Sequence, residues 1–145
     1  MIYREIQEAD IPILAELEKE CFAQPWSEES FRGALNARIT AFFICEEDGE
    51  ILGYGGVQCL PPEGAITNIA VRVGARRRGI GNGLVNQIAA HCAGACITGI
   101  TLEVRESNTK ATQLYEKCGF ERLGVRKNFY ARPRENAVIM RKILP

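Results

Sequence analysis

Three arginines, Arg76, Arg77 and Arg78, run directly into Gly79-Ile80-Gly81, and an apolar stretch at helical spacing (Leu84, Ile88, Cys92) follows at once. The segment before them, "AITNIAVRV", reads as a strand. A strand that ends in a glycine turn and opens into a helix aims the unpaired N–H groups of the first helical turn at one spot. The helix dipole favours an anion there by about 0.3–1 kcal/mol, and up to about 2 kcal/mol when the site is partly buried. Glycines let the backbone come close and the arginines add charge, so the turn suits a pyrophosphate. Other phosphate motifs fit less well. Gly74 and Gly79 have Walker spacing, but Ile80 stands where the lysine belongs. A dinucleotide fingerprint would place its third glycine at Leu84, and too little chain follows for that fold, although Glu103 sits where a ribose-binding acid would. Eighteen basic residues balance eighteen acidic ones, without the positive surplus of a protein that neutralises many phosphates.

The second group is a carboxylate and a phenol. In "ITLEV", Ile100, Leu102 and Val104 alternate to one face, with Thr101 and Glu103 on the other. By alternation alone, Glu103 is the outward residue of a strand wetted on one side, because an acid inside an apolar strand needs solvent or a partner. Tyr115 shares helical spacing with Ala111, Leu114 and Cys118 and reads first as a core tyrosine; its hydroxyl can still reach a cleft. Asn108 lies two turns earlier on roughly the same side and suits a helix start. His91, the only histidine, follows Leu84 and Ile88 and reads as packed or dipole-stabilised. Trp26, after Pro25, is a core anchor or a groove residue. Phe129 and Tyr130, beside Asn128 in a polar segment read as a loop, are hard to bury locally.

The elements that must hold these groups follow from periodicity and punctuation. "MIYREIQ" begins as a strand. Asp10 offers an N-cap, Pro12 a first turn, and Ile13, Leu14, Leu17 and Cys21 a stripe. Ser27 caps a second helix with Glu28 and Glu29 at its positive end. "AFFICEEDGEILGYGGVQCL" is a hairpin turning at Asp48-Gly49, and Gly53, Gly55 and Gly56 point to a bulge or a close approach. Then come "AITNIAVRV", the Leu84 helix ending near Gly94, the strand "TGITLEV", a helix capped by Ser107 and stopped by Gly119, and the strand "AVIMRKI". The order βααβββαβαββ predicts an α/β (mixed α+β) domain over 1–145: a mostly antiparallel sheet of about six to seven strands with about four helices. No secretory signal and no membrane-length apolar run are read, so a cytoplasmic protein is expected. The six cysteines are scattered without a C-x-x-C pair and read as reduced small hydrophobes, with no metal site.

"RRRGIG" resembles the acyl-coenzyme A signature of the GNAT superfamily of N-acetyltransferases. "NIAV" before it, "LEVRESNTKATQLYEKCGF" after it, then "RKNFYARP", "AVIM" and the early "PWSEESF" resemble its RimI-like members, which acetylate the N-terminal alanine of a ribosomal protein. The resemblance spans nearly the whole chain. It implies the GNAT acyl-CoA N-acyltransferase fold, acetyl-CoA as co-substrate, and a protein N-terminus as partner. No nucleic acid or membrane is implied, and the protein is expected as a monomer or weak dimer. It implies Glu103 as general base and Tyr115 as general acid. The backbone of Ile69, Ala70 and Val71 would hold the acetyl and pantetheine portion. Arg77, Arg78, Gly79, Ile80, Gly81 and Asn82 would bind the pyrophosphate through main-chain donors, and Asn108 would touch the cofactor farther along. Pro25, Trp26, Phe129 and Tyr130 would border the acceptor. Two departures stand out. "VRVGARRR" lacks the usual acidic residue after the strand, and Phe129 stands where the pattern has tyrosine. Other protein N-termini, lysines or a small amine remain as acceptors, and an acyl-CoA-binding sensor is the non-enzymatic alternative. Direct transfer needs no acyl-enzyme, so none of the cysteines is required, though Cys118 adjoins the signature Gly-Phe.

Overall fold

The computed structural model describes residues 1–145. It has the element order read from the sequence, with seven strands and four helices. The first half holds β1 (Ile2–Glu5), α1 (Ile11–Cys21), α2 (Glu28–Asn36), β2 (Thr40–Glu47), β3 (Glu50–Leu60) and β4 (Glu63–Val71). The second half holds α3 (Ile80–Ala93), β5 (Gly99–Arg105), α4 (Thr109–Lys117), β6 (Glu121–Ala131) and β7 (Arg134–Ile143). All strands join one sheet in the order β1-β2-β3-β4-β5-β7-β6. Every neighbouring pair is antiparallel except β4 and β5, which the α3 crossover makes parallel.

Each face of the sheet has its own core. On one, Ile11, Leu14 and Leu17 of α1 and Phe31 of α2 pack on Phe42, Ile44, Tyr54 and Ala70. On the other, Leu84, Ile88 and Cys92 of α3 and Tyr115 of α4 pack on Phe43, Cys45, Leu102 and Val104. Alternation along β2 therefore sends Phe42 and Ile44 one way and Phe43 and Cys45 the other. Asp48 (φ 53°) and Gly49 (φ 80°) form the two-residue hairpin turn. Gly56 answers to both expectations for its strand: the ladder shifts register beside it, and a Cβ there would lie 2.6 Å from Phe42 Cε1.

Three local expectations are corrected. The "RKNFY" segment is not a loop but the middle of β6, an edge strand whose ladder shifts register between Arg126 and Tyr130, with Asn128 at φ 55°. Ser107 is not the cap of α4; Asn108 is, its Oδ1 accepting the Ala111 N–H at 3.1 Å. Asp10 makes no side-chain cap on α1. Its carboxylate instead accepts the Gln7 N–H at 2.7 Å and two Arg4 N–H groups at 2.8 and 3.1 Å.

The Arg4 guanidinium holds the Asp10 carboxyl below its usual range, with the Gln7 N–H adding to the effect. A folded-state pKa depressed below the unfolded ~3.9 stabilises the fold above that pH, and the contribution is lost as pH falls through the lower value. Asp10→Asn should therefore cost about 1–3 kcal/mol at neutral pH. Thermal melts of both proteins should converge as the solution is acidified well below the ordinary carboxylate pKa of ~3.9; a constant gap would deny the linkage.

Candidate functional site

The site exists because β4 and β5 part. They pair only at Glu63–Gly99, Gly64–Ile100 and Ala65–Thr101, whereas β5 stays paired with β7 from Gly99 to Arg105. Beyond Ala65 and Thr101 a cleft of about 460 Å³ opens, with Ile66 to Ile69 on one wall and Leu102 to Arg105 on the other. Thr67 is the extra residue of β4 at the parting: Asn68 pairs with Gly56 and Ile66 with Val57, and Thr67 is skipped. Thr67 Oγ1 and Asn68 Oδ1 are buried there without a protein partner.

Main-chain groups of β4 face this opening. Arg72 N–H donates to Leu52 C=O at 2.8 Å, so alternation along the antiparallel ladder turns Val71 and Ile69 toward the parted edge and pairs Ala70 with Tyr54. The Val71 carbonyl confirms the direction, accepting from Cys21 Sγ at 3.5 Å and Arg76 Nε at 3.1 Å. Ile69 and Val71 can thus offer backbone to a ligand, while Ala70 supplies core packing.

Glu103, Tyr115, Tyr130, Asn108 and Trp26 line this one cleft, drawn from β5, from α4 and its N-cap Asn108, from β6 and from the loop before α2. Leu102 and Val104 enter the α3/α4 core, so Glu103 turns to the opposite face. Its only ionic neighbour is Arg126 at 3.9 Å, an exposed and long contact that leaves the carboxylate open to solvent. Tyr115 is buried, and burial pushes its phenol up, reinforced by Cys118 and Tyr130. Tyr130 shares the lining with Glu103 and Tyr115; burial raises its phenol, Arg105 opposes the rise, and Glu103 and Glu135 add to it. Arg105 lies over the Tyr130 ring at 4.2 Å and donates to the carbonyls of Arg132 and Pro133, which fixes that wall. Phe129 and Pro25 fall outside the cleft lining. Phe129 instead stacks edge-on against Tyr130 at 5.0 Å.

The glycine turn lies past the other end of β4. Gly79 precedes α3 at φ 81° with no side-chain cap, and the first helical bond runs from Gly83 N–H to Gly79 C=O at 3.0 Å. The N–H groups of Ile80, Gly81 and Asn82 therefore lack intrahelical acceptors. A Cβ on Gly79 would meet nothing within 4 Å, so the turn itself is open at the helix start. The cradle fits a pyrophosphate. The arginines divide the surrounding work: Arg76 folds back on Val71, Arg78 pairs with Glu47 at 2.8 Å, and Arg77 is exposed at φ 67°. Gly81 has a second role, since its Cβ would lie 2.9 Å from Leu114 Cδ2 and its absence lets α3 approach α4. The Asn82 side chain turns inward, accepting from the Cys118 thiol at 2.9 Å. Burial raises that thiol, so Cys118 is a protonated packing group rather than a nucleophile. His91 packs edge-on against Phe43 at 5.5 Å.

Residues 11–120 match the model of the acetyltransferase (GNAT) family, three quarters of the chain. The chain belongs to the GNAT family. Among GNAT relatives, the [ribosomal protein bS18]-alanine N-acetyltransferase of Escherichia coli (strain K12) is 31% identical over 137 residues, covering 93% of this chain and 92% of the relative. The protein of the same description from Haemophilus influenzae is 32% identical over 142 residues, 96% of each chain. The crystal structure of the Escherichia coli ribosomal-protein-S18-alanine N-acetyltransferase superposes with a TM-score of 0.90 at 28% identity, over 99% of this chain and 93% of that one. The GNAT fold expected from the sequence is thus found, with a seven-stranded sheet and four helices.

Sequence reasoning missed cleft residues Glu18, Phe22, Thr67, Asn68 and Arg105. One signal was available: Glu18 lies four residues after Leu14, on the buried stripe of α1, where an acid is out of place. No helix is long and apolar enough to cross a membrane.

Proposed function

We propose that this protein transfers the acetyl group of acetyl-CoA to the N-terminal α-amino group of a protein, the N-terminal alanine of a small-subunit ribosomal protein being the foremost acceptor. The observation that carries the reading is the cleft between parted β4 and β5, where an open carboxylate, Glu103, shares walls with a buried phenol, Tyr115. The names of the relatives supply the acceptor. Acetyl-CoA supplies the thioester; the protein's part is to place an amine beside it and manage protons.

An ammonium has no lone pair, so the acceptor must lose a proton before attack. An α-amino group, with pKa ~8, is about one-tenth neutral at pH 7, while lysine at ~10.4 costs about 3 kcal/mol more to deprotonate. A solvent-open carboxylate such as Glu103 is a sufficient proton acceptor for an α-amine, directly or through one water. Negative charge developing on the carbonyl oxygen is met by a cleft-facing main-chain N–H of β4. Tyr115 keeps its proton throughout the physiological range because burial raises its pKa. A phenol raised above ~10 is a weaker acid than a thiol at ~8.5, so Tyr115 serves as the acid group by hydrogen-bonding its O–H to the sulfur as the C–S bond breaks. The thiolate becomes the thiol with the proton that the newly acylated nitrogen sheds, passed by Tyr115 or by water. Attack is direct, and alignment does the remaining work.

The test is acetyl-CoA turnover with two short peptides, one with a free N-terminal alanine and one N-terminally blocked with an internal lysine. The free-alanine peptide is expected to be acetylated far faster. Preference for the blocked peptide would overturn the α-amine reading in favour of lysine, and coenzyme A binding without turnover of either would favour a sensor.

A further inference from the structure

The cleft contains a second carboxylate, and it is not a base. Glu18, on α1, is 1% exposed, and both its oxygens are occupied. Oε1 accepts the main-chain N–H of Trp26 at 2.9 Å, and Oε2 accepts the hydroxyl of Tyr54, itself fully buried. No arginine or lysine pairs with it. A buried carboxylate without a cation is costly, and a leucine or methionine would fill the same stripe of α1 without that cost. What the carboxylate achieves is specific. It ties the segment after α1 to a tyrosine on the interior strand β3, thirty-six residues from Glu18 in sequence.

That segment forms a wall of the cleft. Phe22, Ala23, Gln24 and Trp26 line it, and Phe22 is 41% exposed at its rim. Between α1 and α2 no strand pairing holds these residues, which run from Phe22 to Ser27. The Phe22 N–H, bonded to the Glu18 carbonyl at 2.9 Å, ties its start to α1. Two anchors hold its end: the Trp26 ring, packed 5.3 Å from Phe31 and 6.2 Å from Phe42, and the Trp26 N–H held by the Glu18 carboxylate. The ring fixes the end of the segment in the core. The hydrogen bond fixes its main chain, and with it the position of the Phe22–Gln24 wall.

We propose that Glu18 is a positioning residue for acceptor binding: through Tyr54 and the Trp26 N–H it holds the Phe22–Trp26 segment as the wall against which the acceptor's first residues lie. The claim rests on the α-amine acetyltransferase reading for its substrate, but not for its geometry. Glu18 is buried with each oxygen already engaged by Trp26 or Tyr54, out of reach of the acceptor amine, so it acts on acceptor affinity and not on the chemical step.

Glu18→Gln and Tyr54→Phe test this in the full-length protein, with acetyl-CoA and the alanine-first peptide. Glu18→Gln keeps the shape but makes one end of the side chain a donor, facing the Trp26 N–H or the Tyr54 hydroxyl. The KM for peptide should rise about tenfold, the scale of one lost charge-assisted hydrogen bond, with kcat at saturating peptide and the Kd for acetyl-CoA nearly unchanged. Trp26 is the only tryptophan, so its emission reports the wall directly and should shift to the red as the segment loosens. Tyr54→Phe, which leaves the Trp26 bond in place, should change both readouts in the same direction and by less; it carries the test if Glu18→Gln does not fold. An unchanged peptide KM in a folded variant overturns the proposal, as does a parallel loss of kcat and acetyl-CoA affinity. A wild-type protein that acetylates neither peptide removes the functional reading instead. Trp26 emission then still decides the positioning claim, because an unshifted spectrum in both variants overturns it without any turnover.

Discussion

Glu103→Gln is expected to lower kcat for an alanine-first peptide by about 10²–10⁴-fold, the usual worth of a positioned general base. The carboxamide keeps the size of the side chain and its place on β5, but accepts no proton. The Kd for acetyl-CoA should hold, because Glu103 lies on the face opposite the α3/α4 core and the cradle amides belong to α3. Stability should hold as well. The one ion pair lost, to Arg126, is 3.9 Å long and more than half exposed on the arginine side, and such pairs contribute little. The residual activity carries its own signature. Without the carboxylate, deprotonation falls to solvent, so the variant's rate should climb as pH approaches the α-amine's ~8 and the gap to wild type should narrow. A kcat equal to that of wild type would deny Glu103 its role. A loss of acetyl-CoA affinity in step with kcat would point to a displaced strand instead.

What the sequence disclosed and what it withheld divide along one line. Features written in contiguous residues were legible. The turn at Asp48-Gly49, the stop at Gly119 and the strand–glycine–helix junction at Gly79 each depend on a few neighbours, so propensity and spacing identify them. The order of elements follows from such punctuation. Features made by residues far apart were not legible. The parting of β4 from β5 depends on Thr67 being skipped in a ladder with β3, and nothing in "AITNIAV" marks which residue that is. Alternation gives the face of Glu103 but cannot show that the helices leave that face open, which is why a merely wetted strand was the default. The "RKNFY" segment reads as a loop for a related reason. An edge strand with one neighbour and two register shifts buries almost nothing, so its polar residues carry no strand period. Family resemblance supplied the pairing of Glu103 with Tyr115; local physics had left each of them with a bland alternative.

Gly79→Val separates the cradle from the rest of the site. At φ 81° a β-branched residue is strained, by roughly 1–2 kcal/mol, and α3 begins one residue later. A Cβ at this position meets nothing within 4 Å, so the protein should fold with a slightly lowered melting temperature. The added bulk and the strained turn stand immediately before the Ile80, Gly81 and Asn82 amides on which the pyrophosphate is proposed to sit. The Kd for acetyl-CoA should therefore weaken by more than about tenfold, a cost above 1.4 kcal/mol. At acetyl-CoA concentrations that restore saturation, kcat and the peptide KM should return toward wild type, since Glu103, Tyr115 and the Trp26 wall are untouched. Gly74→Val is the matched control: that position is also free of neighbours and has no left-handed φ, so the same side chain five residues earlier should leave affinity unchanged. Calorimetry on the two variants distinguishes the models directly. If Gly79→Val binds acetyl-CoA as tightly as Gly74→Val, the phosphates do not sit on the α3 amides. The helix opening would then be an ordinary uncapped turn, and the arginines around it a solvated surface.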